Sequence, residues 1–210
     1  MEKKYKLTEE TLVVDGHILH RIIALRDFGE VKKGDLGGFI EKESNLAHDR
    51  NCWIYNDAVV RDDAMVYGYA KVYGNAEVYG NAKVCGEAMV YGEVEVYGNA
   101  IVCGEAKVCG NAIVCDDAEV YGNAMVYGDA TVYGEATVCG NAKVEKKSDY
   151  IVFKNWWSSG RYFTWTRSND MWSVGCFYGT GEELIKKAYK DSEEKGREYA
   201  RIVKYVKSIK

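Results

Sequence analysis

The chain contains no proline, only three histidines, and no apolar run long enough to span a bilayer. Because a transmembrane helix needs about 20 consecutive apolar residues, the sequence predicts no membrane segment and no membrane partner. The first ten residues, MEKKYKLTEE, contain no apolar stretch that would serve as a secretory leader. We therefore expect a cytoplasmic protein.

Cysteine occurs in a pattern that favours neither disulfides nor a metal. The count of seven is odd, and no two cysteines are spaced as CxxC. Six of them stand at repeat positions where tyrosine otherwise occurs. We interpret them as reduced, small apolar side chains, and we expect no disulfide framework, no metal and no cofactor.

The net charge of −4 is unevenly distributed along the chain. Residues 40–145 carry seven basic and 17 acidic residues, whereas residues 146–210 carry 14 basic and eight acidic residues. An anionic partner should therefore meet the C-terminal segment first. We expect no nucleic-acid partner, because the acidic middle of the chain would repel a phosphate backbone.

Residues 58–144 repeat the six-residue pattern A-x-V-(Y/C)-(G/D)-(N/D/E), in which valine holds in every unit and alanine is replaced once, by Val94. Alternation in A-x-V-Y indicates a short strand, and the glycine after it indicates a turn. Three such strands closing a coil of about 18 residues would point every alanine and valine inward. Successive coils would stack about 4.8 Å apart on parallel hydrogen bonds.

These units resemble the hexapeptide-repeat proteins, in which an aliphatic residue begins each hexad and a small residue lies four positions further on, as Val72 and Ala76 do. The resemblance covers about half of the chain and implies a mainly β protein, a left-handed parallel β-helix of about six 18-residue coils. Members are commonly trimers. The YGNA units and their lead-in DLGGFIEKESNLAHDRNCWIY also resemble bacteriophage and prophage repeat proteins.

We predict three domains: an N-terminal hairpin cap at residues 1–39, the β-helix at 40–145 and a small α+β module at 146–210. In the cap, Asp15-Gly16 indicates a tight hairpin turn, and the cap should plug the first coil. His17 and His20 are expected on the surface of this cap.

In the C-terminal module (residues 146–210) the pattern predicts strands followed by helices. The strands are expected at 149–154, 161–167 and 171–178, and the helices at 181–189 and 193–207. Thr180 is a predicted N-cap, with Glu183 completing a capping box.

Stacking by 18 residues divides the outer surface of the β-helix into three faces. One face is the most apolar and carries the smallest side chains, so we predict it as the contact between subunits. Its outward column is Met65, Lys83, Ile101, Glu119 and Thr137.

The repeat lacks the residues on which enzymes of this fold depend. Residues 58–144 contain no histidine and no inserted loop, whereas the resemblance implies that acyltransferases use a histidine base near a subunit boundary and carbonic anhydrases use several histidines around a metal. His48 is the one histidine in the coil phase. An acyltransferase would have to rely on it, so we expect a protein that is not an enzyme.

A candidate anion site lies in the C-terminal module. Gly179, Thr180 and Gly181 lead from a strand into a helix, whose free N–H groups and positive dipole end favour an anion. Arg161 and Arg167 would add bidentate contacts, and Trp165, Trp172 or Tyr178 would stack on a base. The alternative is that these aromatic residues form the module's own core.

Three functions therefore stay open. The leading hypothesis is a non-catalytic trimeric protein that holds a small anionic, nucleotide-like ligand, for example to sequester a host nucleotide signal. The second is a structural or protein-interaction spacer. The third is an acyltransferase that uses His48.

The trimer can be tested directly. Since the resemblance implies three subunits joined through one face of the prism, sedimentation equilibrium should give about three times the 23.6 kDa chain mass. A monomer at micromolar concentration would contradict this expectation.

Overall fold

The computed structural model describes residues 2–209. The chain is mainly β: an N-terminal antiparallel hairpin leads into a β-solenoid of about six coils, and a small antiparallel sheet with two helices follows. This arrangement confirms the fold class predicted from the repeat.

The N-terminal cap is the predicted hairpin. Strands β1 (Tyr5–Val14) and β2 (His17–Ala24) pair antiparallel, and Asp15 and Gly16 between them both have positive φ, 49° and 87°. Strand β3 (Leu36–Ile40) pairs antiparallel with β2 and parallel with the solenoid strand Val59–Val60, so it joins the cap to the coils.

Short strands make the three sides of each coil. A 3-10 turn, Glu43–Asn45, precedes them and another, Lys147–Asp149, follows them. In chain order, strands β4 to β19 are Trp53–Ile54, Val59–Val60, Met65–Val66, Lys71–Gly74, Glu77–Val78, Lys83–Val84, Met89–Gly92, Glu95–Val96, Ile101–Val102, Lys107–Gly110, Ile113–Val114, Glu119–Val120, Met125–Val126, Thr131–Val132, Thr137–Val138 and Lys143–Val144.

The strands stack into three parallel sheets with a register of 18 residues. Met89 pairs with Lys107, Ile101 with Glu119, and neighbouring coils repeat the same offset. The valine and alanine of every unit are fully buried along the axis, including Val94. The register of 18 residues, and with it the three outer faces predicted from the sequence, is therefore confirmed.

Glycine occupies most corners of the coils, where the backbone is left-handed and neighbouring corners touch, while Asn56, Asp62 and Asp116 take the same conformation at three others. Gly86 has a φ of +67°, and a Cβ on it would lie 2.7 Å from the backbone nitrogen of Gly104 in the next coil. Gly134 has nearly the same φ, +64°, but belongs to the last coil and has open space around it.

Parallel stacking leaves unpaired backbone groups at both ends of the solenoid. The outward strand positions donate their N–H groups to carbonyls of the following coil, as Trp53 does to Ala70 and Met125 does to Ala142, and in the parallel ladders the same strands also accept N–H groups from that coil. The first and last coils therefore each present both donors and acceptors that have no partner coil. Either set would cost free energy if it were buried unpaired.

The N-terminal cap supplies hydrogen-bond donors to backbone carbonyls of the first coil. The buried Lys4 Nζ donates to the Cys52 carbonyl at 2.8 Å, and the Tyr5 hydroxyl donates to the Leu46 carbonyl at 2.8 Å. Arg21 donates to the Asn56 carbonyl at 3.1 Å. The rings of Tyr5, Phe28 and Trp53 close the core above the first coil, as the plug predicted from the sequence requires.

The C-terminal module supplies acceptors to N–H groups of the last coil and also a donor, since the Tyr150 hydroxyl donates to the Thr131 carbonyl at 3.0 Å. The Thr137 N–H donates to Thr164 Oγ1 at 2.9 Å, and the Lys143 N–H donates to Ser168 Oγ at 2.7 Å. The Tyr150 ring is buried in the solenoid core. The module is therefore a cap on the last coil, a role that the sequence left open.

The module contains one more strand than predicted. Strands β20 (Tyr150–Lys154), β21 (Tyr162–Thr166), β22 (Met171–Val174) and β23 (Phe177–Thr180) form an antiparallel meander. The single strand predicted at 171–178 is wrong, because the chain reverses at Gly175, whose φ is +55°. The apolar run on both sides of this glycine hides the turn.

Helices α1 (Gly181–Asp191) and α2 (Glu193–Ser208) pack on this meander, and both predicted helices are confirmed. The capping box is present as predicted: the Glu183 N–H donates to Thr180 Oγ1, and the Thr180 N–H donates to the Glu183 carboxylate.

Two matched glycine substitutions separate backbone conformation from coil contact. Gly86→Ala and Gly134→Ala each place a side chain at a left-handed φ, which costs about 1 kcal/mol. Gly86→Ala also forces a Cβ against Gly104, so its apparent free energy of unfolding in urea should fall by about 1–3 kcal/mol more. Equal losses in the two variants would contradict the close stacking of corners.

Candidate functional site

Four of the residues predicted for the anion site surround one cavity at the start of α1. The cavity has a volume of about 210 Å³. The predicted residues that line it are Trp165, Trp172, Thr180 and Gly181. The charged residues beside them are Asp170, Glu182 and Lys207, so carboxylates outnumber cations around this space.

The helix start that was expected to receive an anion already contacts a carboxylate. Glu183 Oε2 accepts hydrogen bonds from the Thr180 N–H at 2.8 Å and from the Thr180 hydroxyl at 3.0 Å. These bonds, the backbone one first, lower the pKa of Glu183. The positive end of the α1 dipole is therefore balanced by the protein's own negative charge.

The two indoles at this cavity belong mainly to the module's core. Trp165 is 1% exposed and Trp172 is 2% exposed, and both pack in one apolar cluster with Phe163, Tyr199 and Val203. The Trp165 Nε1–H donates to Asp170 Oδ1 at 2.8 Å. With 1–2% of each residue exposed, neither ring has an open face for a base to stack on.

The remaining predicted residues lie elsewhere. Tyr178 packs against the last coil, where its hydroxyl lies 3.5 Å from the Cys139 carbonyl, and a Cβ on Gly179 would meet the Phe177 ring. Arg161 runs alongside Gly175, and Arg167 is exposed at the end of β21. Neither arginine lines the cavity, and ligand binding by these residues stays a prediction.

A different part of the module has the exposed aromatic surface that a ligand site needs. Trp156 is 73% exposed and Trp157 is 80% exposed. Both lie in the loop between β20 and β21, residues 155–161, which we call the aromatic loop. The signal for this loop in the sequence is the pair WW directly before SSG. The sequence prediction placed tryptophans of the strands in the ligand site and did not include the two tryptophans of this loop.

The aromatic loop is held in shape by one buried side chain. Asn155 is 1% exposed, and its Oδ1 accepts the N–H groups of Trp157 at 3.0 Å and Ser158 at 3.2 Å. Its Nδ2 donates to Ser158 Oγ and to Glu198 on α2. The Asn155 N–H also donates to the Arg161 carbonyl, which closes the loop. The two indoles are thus presented by an ordered loop.

Cationic side chains flank both indoles. The Lys154 Nζ lies 4.1 Å from the centre of the Trp156 ring and 4.7 Å from that of Tyr162. Beside Trp157, a groove of about 290 Å³ is lined by Asn155, Glu198, Arg201 and Ile202. The aromatic loop therefore has exposed ring surface, with a lysine over one indole and a groove containing one arginine and one glutamate beside the other.

His48, the base that an acyltransferase would need, is fully engaged. Its ring stacks on Tyr5 with centroids 4.4 Å apart. Its Nδ1 accepts the Lys4 N–H at 3.2 Å, and its Nε2 lies 2.8 Å from Glu43 Oε1. Because one nitrogen accepts and the other donates, no lone pair is left to remove a substrate proton.

Comparisons with known proteins find a family model that matches part of the repeat and a relative that matches part of the chain. Residues 118–134 and 126–140 match the family model described as the YdcK beta solenoid repeat. A stretch of 66 residues is 39% identical to the uncharacterized acetyltransferase YdcK of Escherichia coli (strain K12), covering 28% of this chain and 20% of that relative. The matched segment thus spans about a fifth of the relative's length. Within residues 2–209, no helix is long and apolar enough to cross a membrane.

Proposed function

We propose that the protein is a non-catalytic binding protein in which the β-solenoid is a rigid scaffold and the aromatic loop binds a small anionic, nucleotide-like ligand. The observation that supports this proposal is the presentation of Trp156 and Trp157 by the buried Asn155. An ordered loop that exposes two adjacent indoles to water is typical of a contact surface rather than of a folding element.

The chemistry of the aromatic loop fits a nucleotide in two respects. Every base has a ring face that stacks on an indole, and such stacking contributes about 1–3 kcal/mol per base. The Lys154 ammonium and the Arg201 guanidinium lie next to the indoles, where they would contact phosphate oxygens. A neutral sugar would stack on the rings, but it would gain little binding free energy from these charges.

The oligomeric state and the biological role in this proposal rest on the resemblance to hexapeptide-repeat and phage repeat proteins. A trimer would bring three aromatic loops into one assembly, and a phage-encoded protein in a bacterial cytoplasm would sequester a host nucleotide signal. On the predicted subunit face, the end nearest the module is covered by the hydrogen bond from Thr137 to Thr164 and by the Tyr178 contact. The subunit contact would therefore use the part of that face around Met65, Lys83 and Ile101.

An acetyltransferase is the second candidate, because the relative YdcK carries that name. The similarity extends over a fifth of that protein, and the name alone brings no catalytic residue to this chain. The engaged nitrogens of His48 argue against it. An acetyl-transfer assay with acetyl-CoA in which His48→Ala abolishes activity would favour this candidate over ligand binding.

The binding proposal is tested by titrating mono-, di- and cyclic nucleotides into the full-length protein. We expect quenching of the fluorescence of the exposed indoles and a rise in melting temperature that follows occupancy. Trp156→Ala or Trp157→Ala should weaken the affinity by about fivefold to a hundredfold, as expected for a lost stacking contact. Lys154→Ala should weaken it and reduce its salt dependence.

The matched control is Tyr205→Ala, which removes another exposed aromatic side chain of the module, on α2. This variant should bind like the parent. If no nucleotide changes either signal, or if Tyr205→Ala weakens binding as much as the indole variants do, the ligand proposal is wrong and a spacer role takes its place.

A further inference from the structure

Three possible metal ligands meet where the N-terminal hairpin joins the first two coils. They are His17 at the start of β2, Glu41 just after β3, and Asp62 at a corner of the second coil. One donor atom from each lies within 4.8 Å of the others. His17, which the sequence placed on the surface of the cap, is half-buried.

The donor atoms are near enough to one another to share one small ion, but the two carboxylates face different nitrogens of the imidazole. His17 Nδ1 lies 3.0 Å from Glu41 Oε1, and His17 Nε2 lies 3.6 Å from Asp62 Oδ1. In a tetrahedral zinc site with bonds of about 2.0–2.1 Å, neighbouring ligand atoms are about 3.3 Å apart. Binding of one ion by all three residues therefore requires one carboxylate to turn toward the nitrogen that the other faces.

Each carboxylate is oriented by contacts to its other oxygen. Glu41 Oε2 accepts the Asp62 N–H at 2.6 Å. Asp62 Oδ2 accepts the Gly80 N–H at 2.9 Å and lies 3.3 Å from Arg61 NH1. The oxygens that stay available, Glu41 Oε1 and Asp62 Oδ1, both point at the imidazole. Outer contacts of this kind fix the orientation of ligands in metal sites.

The local charge also favours a cation. Asp15, Asp62 and Glu77 lie 2.9, 3.3 and 4.0 Å from the Arg61 guanidinium, so three carboxylates share this one arginine. A divalent ion would replace the hydrogen between His17 and Glu41 and offset the excess negative charge.

We infer that His17, Glu41 and Asp62 form a binding site for a divalent transition-metal ion of the zinc type, with water completing the coordination. The ligands lie 24 and 21 residues apart along the chain, which explains why no local motif indicated them. Since they come from the hairpin, the first coil and the second coil, a bound ion would tie the N-terminal cap to the solenoid.

The test is a titration of the full-length, metal-free protein with Co²⁺ and Zn²⁺. We expect the visible absorption of Co²⁺ to saturate at one ion per chain and Zn²⁺ to raise the melting temperature. His17→Gln should weaken Co²⁺ binding at least tenfold, the lower end of the range of about 10–100-fold known for perturbed metal sites. Asp62→Asn should act in the same direction.

Two neighbouring residues serve as matched controls. His20→Gln alters a histidine on the same strand whose Nδ1 contacts the Thr8 carbonyl, and Asp63→Asn alters the adjacent corner carboxylate, which pairs with Lys42. Both should bind like the parent, and far-ultraviolet circular dichroism checks that every variant is folded. The inference is overturned by binding that survives His17→Gln, by thiolate-to-cobalt absorption that disappears in Cys176→Ser, or by no saturable binding.

Discussion

Parallel stacking leaves unpaired backbone groups at both ends of the solenoid, and the rest of the structure depends on how these groups are covered. Inside the solenoid, each coil forms backbone hydrogen bonds with the coils before and after it. At the first coil, Lys4 and Tyr5 of the N-terminal cap donate to carbonyls. At the last coil, Thr164 and Ser168 accept N–H groups, and the Tyr150 hydroxyl donates to the Thr131 carbonyl. Each cap therefore supplies side-chain partners for the backbone groups of the end that it covers.

The same constraint locates the chemistry of the molecule. The interior of each coil is filled by fully buried valine and alanine, so side chains that can bind or react lie only on its outer faces and in the caps. The Trp156–Trp157 pair lies in one cap, and the His17, Glu41 and Asp62 cluster lies at the junction of the other with the coils.

Much of the fold is predictable because its signals are local. The six-residue period sets the 18-residue register, the Asp15-Gly16 pair sets the hairpin, and Thr180 sets the start of α1. Each depends on residues that are close together in the sequence. Such features are found in the folded chain because the local preferences of these residues agree with the packing around them.

The site was less predictable because it depends on burial and on distant contacts. Trp165 and Trp157 have the same side chain in the same short segment, yet one is in the core and the other is in water. The difference follows from where they lie: Trp165 is on β21 and packs with residues of α1 and α2, whereas Trp157 is on the loop that Asn155 holds. No sequence pattern marks Thr164 as the partner of Thr137 either, because their hydrogen bond forms only when the module folds onto the last coil.

Amide hydrogen exchange in a Thr164→Val variant tests the capping account most directly, with Thr164→Ser as the variant that keeps the hydroxyl. The account predicts that Thr137 N–H exchange becomes about tenfold faster in Thr164→Val, equivalent to about 1.4 kcal/mol for one lost hydrogen bond. Thr164→Ser should keep the protection of Thr137, and Met89, whose N–H donates to Ala106 within the solenoid, should not change in either variant. Unchanged exchange at Thr137, or equal acceleration at Thr137 and Met89, would contradict the claim that the module caps the coils through this acceptor.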